Sequence, residues 1–387
     1  MNVSQDDELQ LLDPRQDALV LEPPPVQKRP PRGWWMTLGW SATSAPVALL
    51  LAVGIGLGPR GINLLTASAL SLMSPVIPVA LGALGVLVGL GLGEHRLHER
   101  SVFLAALLEC SLTAIVVSFG MTPIAWTAWG AAGGPSWMLV AASGICAATS
   151  LTLPSGRSLE PPSVPGRIRE LGVVLPILSG ALLIAAMHDG PATRAVTLLG
   201  HATLITLLLA GAGWLLLTQA SSETEERVFA VSALLLVGGV ADALSMSALF
   251  TGLAAGLFWR YAGSRPRETV TRDVLFVQHP LIVLVLLVAG ARAELSWTAA
   301  AAGAAYVALR TLGKLLGGTV AWRAMPEVAP RDVGMLLLPP GVFGVAFALN
   351  VINSIGDSAA FLLSAVVIGT IASDIVAQLL APRRAAS

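Results

Sequence analysis

Arg310 and Lys314 stand one helical turn apart inside an apolar stretch, Trp297 to Trp322, that is long enough to cross a lipid bilayer. A charge at the bilayer centre costs roughly 2.5 to 3.5 kcal/mol on insertion scales, so such a pair demands acidic or carbonyl partners, or a water-filled path. Glu109 is the first candidate partner, in Leu107-Leu108-Glu109-Cys110-Ser111 near the middle of another apolar stretch. A carboxylate so placed can exchange a proton for a metal cation, and Thr113, one turn onward, can add an oxygen to the same face. Its competing role is a static ion pair with Arg310 or Lys314. Asp242, where two short apolar stretches meet, and Asp374, toward the end of the last one, are the other acids considered for ion binding. His201 and His279 read as neutral histidines in apolar surroundings.

The elements that must hold these groups are membrane spans. The chain of 387 residues is 55% hydrophobic and 12% charged with no net charge, which marks a polytopic integral membrane protein surrounded by lipid, and no nucleic-acid partner is expected. No phosphate-cradling glycine loop, zinc-ligand spacing or positioned nucleophile is present, so neither an enzyme, a cofactor nor a bound metal is expected. The two cysteines, Cys110 and Cys146, each lie within an apolar stretch and read as small core residues. Residues 1–40 are rich in proline and polar residues, lack an apolar core, and read as a disordered cytoplasmic tail; 41–382 form the membrane domain and 383–387 a second short tail.

About twelve spans fit the hydropathy pattern. They lie near Ala42–Leu57, Met73–Gly93, Ser101–Gly120, Ser136–Leu153, Leu171–Met187, Ala195–Leu217, Val228–Ala241, Leu244–Trp259, Val274–Ala291, Trp297–Trp322, Val333–Val351 and Ala359–Ala381. With the N-terminus inside, most arginines, among them Arg96, Arg100, Arg167, Arg169, Arg260, Arg323 and Arg331, fall on the cytoplasmic side. Arg60, Arg194 and Arg292 fall outside, a bias that supports cytoplasmic termini because an error of one span would invert it for half the chain. Trp126, Trp137, Trp259, Trp297 and Trp322 fall at span ends, as an interfacial belt would have them.

Two spans carry signals that break helices. The fourth contains Ala147-Ala148-Thr149-Ser150 with Pro154 soon after, and the eleventh contains Pro339-Pro340-Gly341. Proline removes a donor and glycine accepts the irregular dihedrals that follow, so carbonyls around Pro340 and the Thr149 and Ser150 oxygens are freed toward a ligand. Interrupted spans at matching positions imply an inverted repeat, spans one to five against eight to twelve, which brings the third span, with Glu109, to the tenth.

Together these features resemble the monovalent cation/proton antiporter superfamily, which includes sodium/proton exchangers and potassium efflux relatives. The resemblance rests on Gly54-Ile55-Gly56-Leu57-Gly58-Pro59-Arg60-Gly61, on Gly91-Leu92-Gly93-Glu94, on Thr149-Ser150, on Ala241-Asp242-Ala243-Leu244-Ser245 and on Arg310-Thr311-Leu312-Gly313-Lys314, in that order from Pro46 to Pro382. It implies an all-α fold with two crossed broken helices, a homodimer in a prokaryotic inner membrane, alternating access, and exchange of protons for sodium or potassium. The family's fifth span carries cation-binding aspartates. Here that position falls on Ser179-Gly180, with no carboxylate, and His188-Asp189 lies further along near the span's end. The departure leaves Glu109 as a displaced carboxylate, and leaves two alternatives: an organic-anion transporter drawn by the tenth-span cations, or a scaffold or sensor that retains the fold. No soluble nucleotide-binding domain of the kind some relatives append is expected after the last span.

Overall fold

A computed structural model describes residues 47–92, 99–128, 136–151, 164–189 and 192–380. The two tails, Trp34, Trp35 and Trp129, and most of the loop after the fourth span lie outside the described residues. Those described are helical, in chain order α1 Val47–Leu57, α2 Ala67–Leu72, α3 Val76–Gly91, α4 Glu99–Ala128, α5 Ser136–Ala148, α6 Val164–Leu171, α7 Val174–Asp189 and α8 Ala192–Gln219. There follow α9 Glu223–Ala243, α10 Ala248–Tyr261, α11 Ser264–Arg292, α12 Trp297–Ala324, α13 Val333–Leu336, α14 Val342–Ile355 and α15 Ala360–Leu380. Each expected span has its helix: α1, α3, α4, α5, α7, α8, α9, α10, α11, α12, α14 and α15. Arg100–Trp126, Val164–Met187, Thr193–Gln219, Glu268–Arg292 and Ala360–Ala377 are long and apolar enough to cross a membrane by themselves, whereas α1, α3, α5 and α14 are shorter apolar helices. The chain is an all-α polytopic membrane protein.

The local starts follow from capping. Ser222, Ser247 and Ser296 sit at the N-caps of α9, α10 and α12, each side chain accepting from a backbone amide one turn inside. The first turn of α9 adds Glu223, Glu225 and Glu226, whose charges suit the positive helix end. The Ser221 amide and hydroxyl both donate to Glu225, and hold its carboxyl below the usual carboxylate range.

Packing obeys the expected two-fold relation. Exchanging the halves converts the α1–α11 contact into α10–α3, and leaves α4–α12 and α5–α14 each paired with itself; all four are present. Glycines let the closest of these helices touch along their backbones. On α12, a side chain at Gly317 would meet the Glu109 carbonyl at 2.7 Å and one at Gly313 would meet the Thr113 Cα at 3.0 Å, so α12 lies directly against the Glu109 turn of α4. The end-to-end bonds agree with the span parity: Arg60, after α1, pairs with Glu294, after α11, at 2.8 Å, and the Glu294 amide donates to Ser364 near the start of α15.

Several expectations are corrected. Trp259 is not at an interface: it is 0% exposed in the core shared by α3, α8, α9, α10 and α11, and its indole donates to the Ala210 carbonyl at 2.9 Å. Trp126, Trp137 and Trp297 are exposed, as a belt requires. His201 and His279 are exposed on the outside of the bundle. The fifth span is α7, and an amphipathic α6 that was not expected precedes it, set off by Gly172 and Val173.

Candidate functional site

Both expected breaks are present and they cross. Helix α5 ends at Ala148 and the backbone continues unwound through Thr149, Ser150 and Leu151. The single turn of α13 is followed by unwound Leu337 to Gly341 before α14 begins at Val342. Prolines 339 and 340 cannot continue a helix, and Gly341 is needed at the crossing, where a side chain would lie 2.7 Å from the Leu151 nitrogen.

Two unwound segments leave a string of carbonyls without helical partners. Protein donors take them. Arg310 donates to the carbonyls of Leu338 at 2.5 Å, Thr149 at 3.3 Å and Pro339 at 3.4 Å, and so clasps both segments at once. Ser150 Oγ donates to the Leu337 carbonyl at 2.9 Å and an Arg169 amine to that of Leu336. Lys314 Nζ donates to the Ala148 carbonyl at 2.6 Å and sits 2.8 Å from Glu109 Oε1. Thr113 Oγ1 donates to that same carboxylate oxygen at 3.1 Å. Glu109, Arg310 and Lys314 are 3%, 2% and 0% exposed, so all three charges are balanced by one another and by the negative helix ends instead of by solvent.

The repeat therefore brings Glu109, Thr149, Ser150, Arg310 and Lys314 into one cluster. Thr149 joins the cluster through its carbonyl, while its hydroxyl donates to the Cys146 carbonyl at 3.0 Å. Pro340 is buried beside the cluster as part of the unwound segment. The remaining candidates stand elsewhere. Ser179 is half-buried on α7 and donates to the Leu175 carbonyl at 2.8 Å. Asp242 is exposed at the end of α9, where it accepts from Asn353 Nδ2 at 3.1 Å, and Asp374 is half-buried in the later turns of α15. The positive charges of α12, which the organic-anion reading took as unpaired, have partners.

Three features escaped the sequence reading. The space next to Gly180 is filled by the Phe347 ring of α14, so an apolar contact occupies the place where the resemblance puts a carboxylate. Asn350 is buried within α14, and Nδ2 donates to Ser247 Oγ at 2.9 Å while Oδ1 accepts from the Ala248 amide at 3.3 Å. Arg169, counted only as a cytoplasmic charge, reaches into the break. The signal for Arg169 was its position on the amphipathic α6, two residues before the apolar run resumes. Among the described residues no group of three or more His, Cys, Asp or Glu side chains is disposed to hold a metal.

No protein-family model and no curated protein matches this chain. Among solved structures, the sodium proton antiporter of Methanocaldococcus jannaschii superposes with a TM-score of 0.64 over 86% of this chain and 91% of that one, at 17% sequence identity. The two share a fold. At that identity the likeness carries the fold alone and leaves the chemistry to the residues at the crossing.

Proposed function

We propose that this protein exchanges protons for a monovalent cation, sodium or potassium, across a membrane by alternating access, with Glu109 and Lys314 as the exchanging pair. The observation that carries this reading is the surroundings of the Lys314 ammonium. It is held by a carboxylate oxygen at 2.8 Å and a helix-end carbonyl at 2.6 Å, and Thr113 Oγ1 lies against the same carboxylate. An oxygen set that satisfies a buried ammonium has the chemistry that satisfies a small metal cation.

The exchange follows from charge balance. A buried pair of one carboxylate and one ammonium is neutral, and an added metal cation would leave an uncompensated charge that costs several kcal/mol. If the cation takes the ammonium's place on Glu109, the proton of Lys314 leaves to the solvent and the site returns to its former charge. One cation enters as one proton departs, so transport is electroneutral. Arg310 stays on the carbonyls throughout, as a fixed clasp across the two breaks. A homodimer in a prokaryotic inner membrane, with both termini cytoplasmic, belongs to the same reading; the shared end of Arg60, Glu294 and Ser364 supports the alternation of spans.

The test is flux in liposomes loaded with a pH gradient and challenged with sodium, lithium or potassium. Cation-dependent proton flux that disappears in Glu109→Gln is the expected result. Folded protein that moves no proton with any of the three would leave the scaffold reading in possession of the fold.

A further inference from the structure

The unwound segment between α13 and α14 is held from two sides. From α12 comes Arg310, and from α6, a separate short helix, comes Arg169, whose guanidinium donates to the Leu336 carbonyl where α13 ends. Helix α6 is amphipathic. Its Ile168 and Leu171 pack with Val102, Ala105 and Ala106 of α4, with Ala321 of α12, and with Val333 and Leu337 flanking the break. Its Arg167 and Glu170 pair with each other at 2.7 Å, both half-buried. Arg169 thus turns from the charged face of its helix to the half-buried Leu336 carbonyl, while its Nε is itself buried without a hydrogen-bond partner. Leaving one nitrogen of a guanidinium unsatisfied carries a desolvation cost that ordinary topogenic arginines, which lie in water, never meet.

We propose that Arg169 is a positioning residue for the crossing: by bonding Leu336 it couples α6 to the carbonyl string that Arg310 clasps, and so sets how far that string can open. The proposal rests on the reading of the crossing as the transport site, but its immediate claim concerns motion. Leu336, Leu337, Leu338 and Pro339 are consecutive, and their carbonyls are held by Arg169, Ser150 and Arg310 in turn. Release of the first frees the segment at the α13 end, and displacement of α6 is passed to the carbonyls on which the site is built.

The protein carries its own reporter. Cys146 is buried in the last turn of α5, and its carbonyl lies against Gly344 of α14, so its thiol reacts only when the crossing opens. With Cys110 replaced by alanine, Cys146 is the single thiol, and its rate of modification by methyl methanethiosulfonate reads the opening without any need for flux. Loss of one charged hydrogen bond is expected to raise that rate about tenfold in Arg169→Gln. Arg169→Met, whose apolar side chain suits the buried position, is expected to do the same and guards against a variant that fails to fold. Arg169→Lys, which keeps the charge and one donor, is expected to restore most of the protection, a rescue that mere space-filling would not produce. A Cys146 rate equal to the parent in folded Arg169→Met or Arg169→Gln overturns the proposal, whatever the flux assay reports; raised labelling with no flux would retain the coupling and sink the exchanger reading alone.

Discussion

The Glu109–Lys314 pair makes the most demanding prediction about stability. Glu109→Gln leaves the Lys314 ammonium, 0% exposed, with the Ala148 carbonyl as its remaining acceptor, and Lys314→Met leaves the Glu109 carboxylate, 3% exposed, with the Thr113 hydroxyl as its donor and the charge of Arg310 nearby. Breaking a buried pair by removing one member costs about 3 to 5 kcal/mol, because the survivor is a buried charge that has lost its direct ion-pair partner. Removing both partners costs far less, since two neutral side chains of similar volume then fill the space. The double variant Glu109→Gln/Lys314→Met is accordingly expected to be more stable than either single one, with a coupling of at least about 2 kcal/mol. The assay is a double-mutant cycle from denaturant unfolding in detergent, at a pH near neutral and one ionic strength. Single-variant losses that simply add, within about 0.5 kcal/mol, would show that the two groups do not depend on each other and would refute the reasoning.

Gly180→Ala drives a methyl group into the Phe347 ring, and is expected to cost about 1 to 3 kcal/mol, most of it recovered by adding Phe347→Leu; thermal unfolding of the single and double variants beside wild type reads this directly. Asn350→Ala strands the Ala248 amide and removes the donor to Ser247, for an expected loss of about 1 to 3 kcal/mol, and amide hydrogen exchange should rise selectively at the start of α10. Glu225 has its carboxyl held below the usual range by Ser221, so its contribution is present above the unfolded-state value and is lost as pH falls through the lower folded-state value. The Tm difference between wild type and Glu225→Gln should therefore be largest near about pH 7 and shrink as pH falls below the ordinary carboxylate range; a difference independent of pH would contradict it.

What was legible in the sequence was set by one-dimensional constraints. Twelve spans follow because a bilayer forces long apolar runs, and the breaks follow because Pro339-Pro340-Gly341 cannot be helical. The meeting of Glu109 with Lys314 followed from the inverted repeat, which turns two distant spans into neighbours. The features that stayed hidden depend on which way a side chain turns. Nothing in the spacing distinguishes an arginine that stays in the headgroup layer from Arg169, which folds inward, or Trp259 in a helical core from tryptophans at an interface. Phe347 beside Gly180 was hidden for the same reason: a missing carboxylate can be noticed in a sequence, but what fills its volume is a matter of packing between α7 and α14.

The central claim is that a metal cation and the Lys314 ammonium compete for Glu109, and proton release on cation binding tests it most directly. Purified protein in weakly buffered detergent solution, near neutral pH, is titrated with sodium chloride and then potassium chloride, with choline chloride as the control for ionic strength. The account predicts that sodium or potassium, but not choline, releases up to about one proton per chain at saturation, and that Glu109→Gln releases none. No release with either cation, or an equal release from Glu109→Gln, would contradict it.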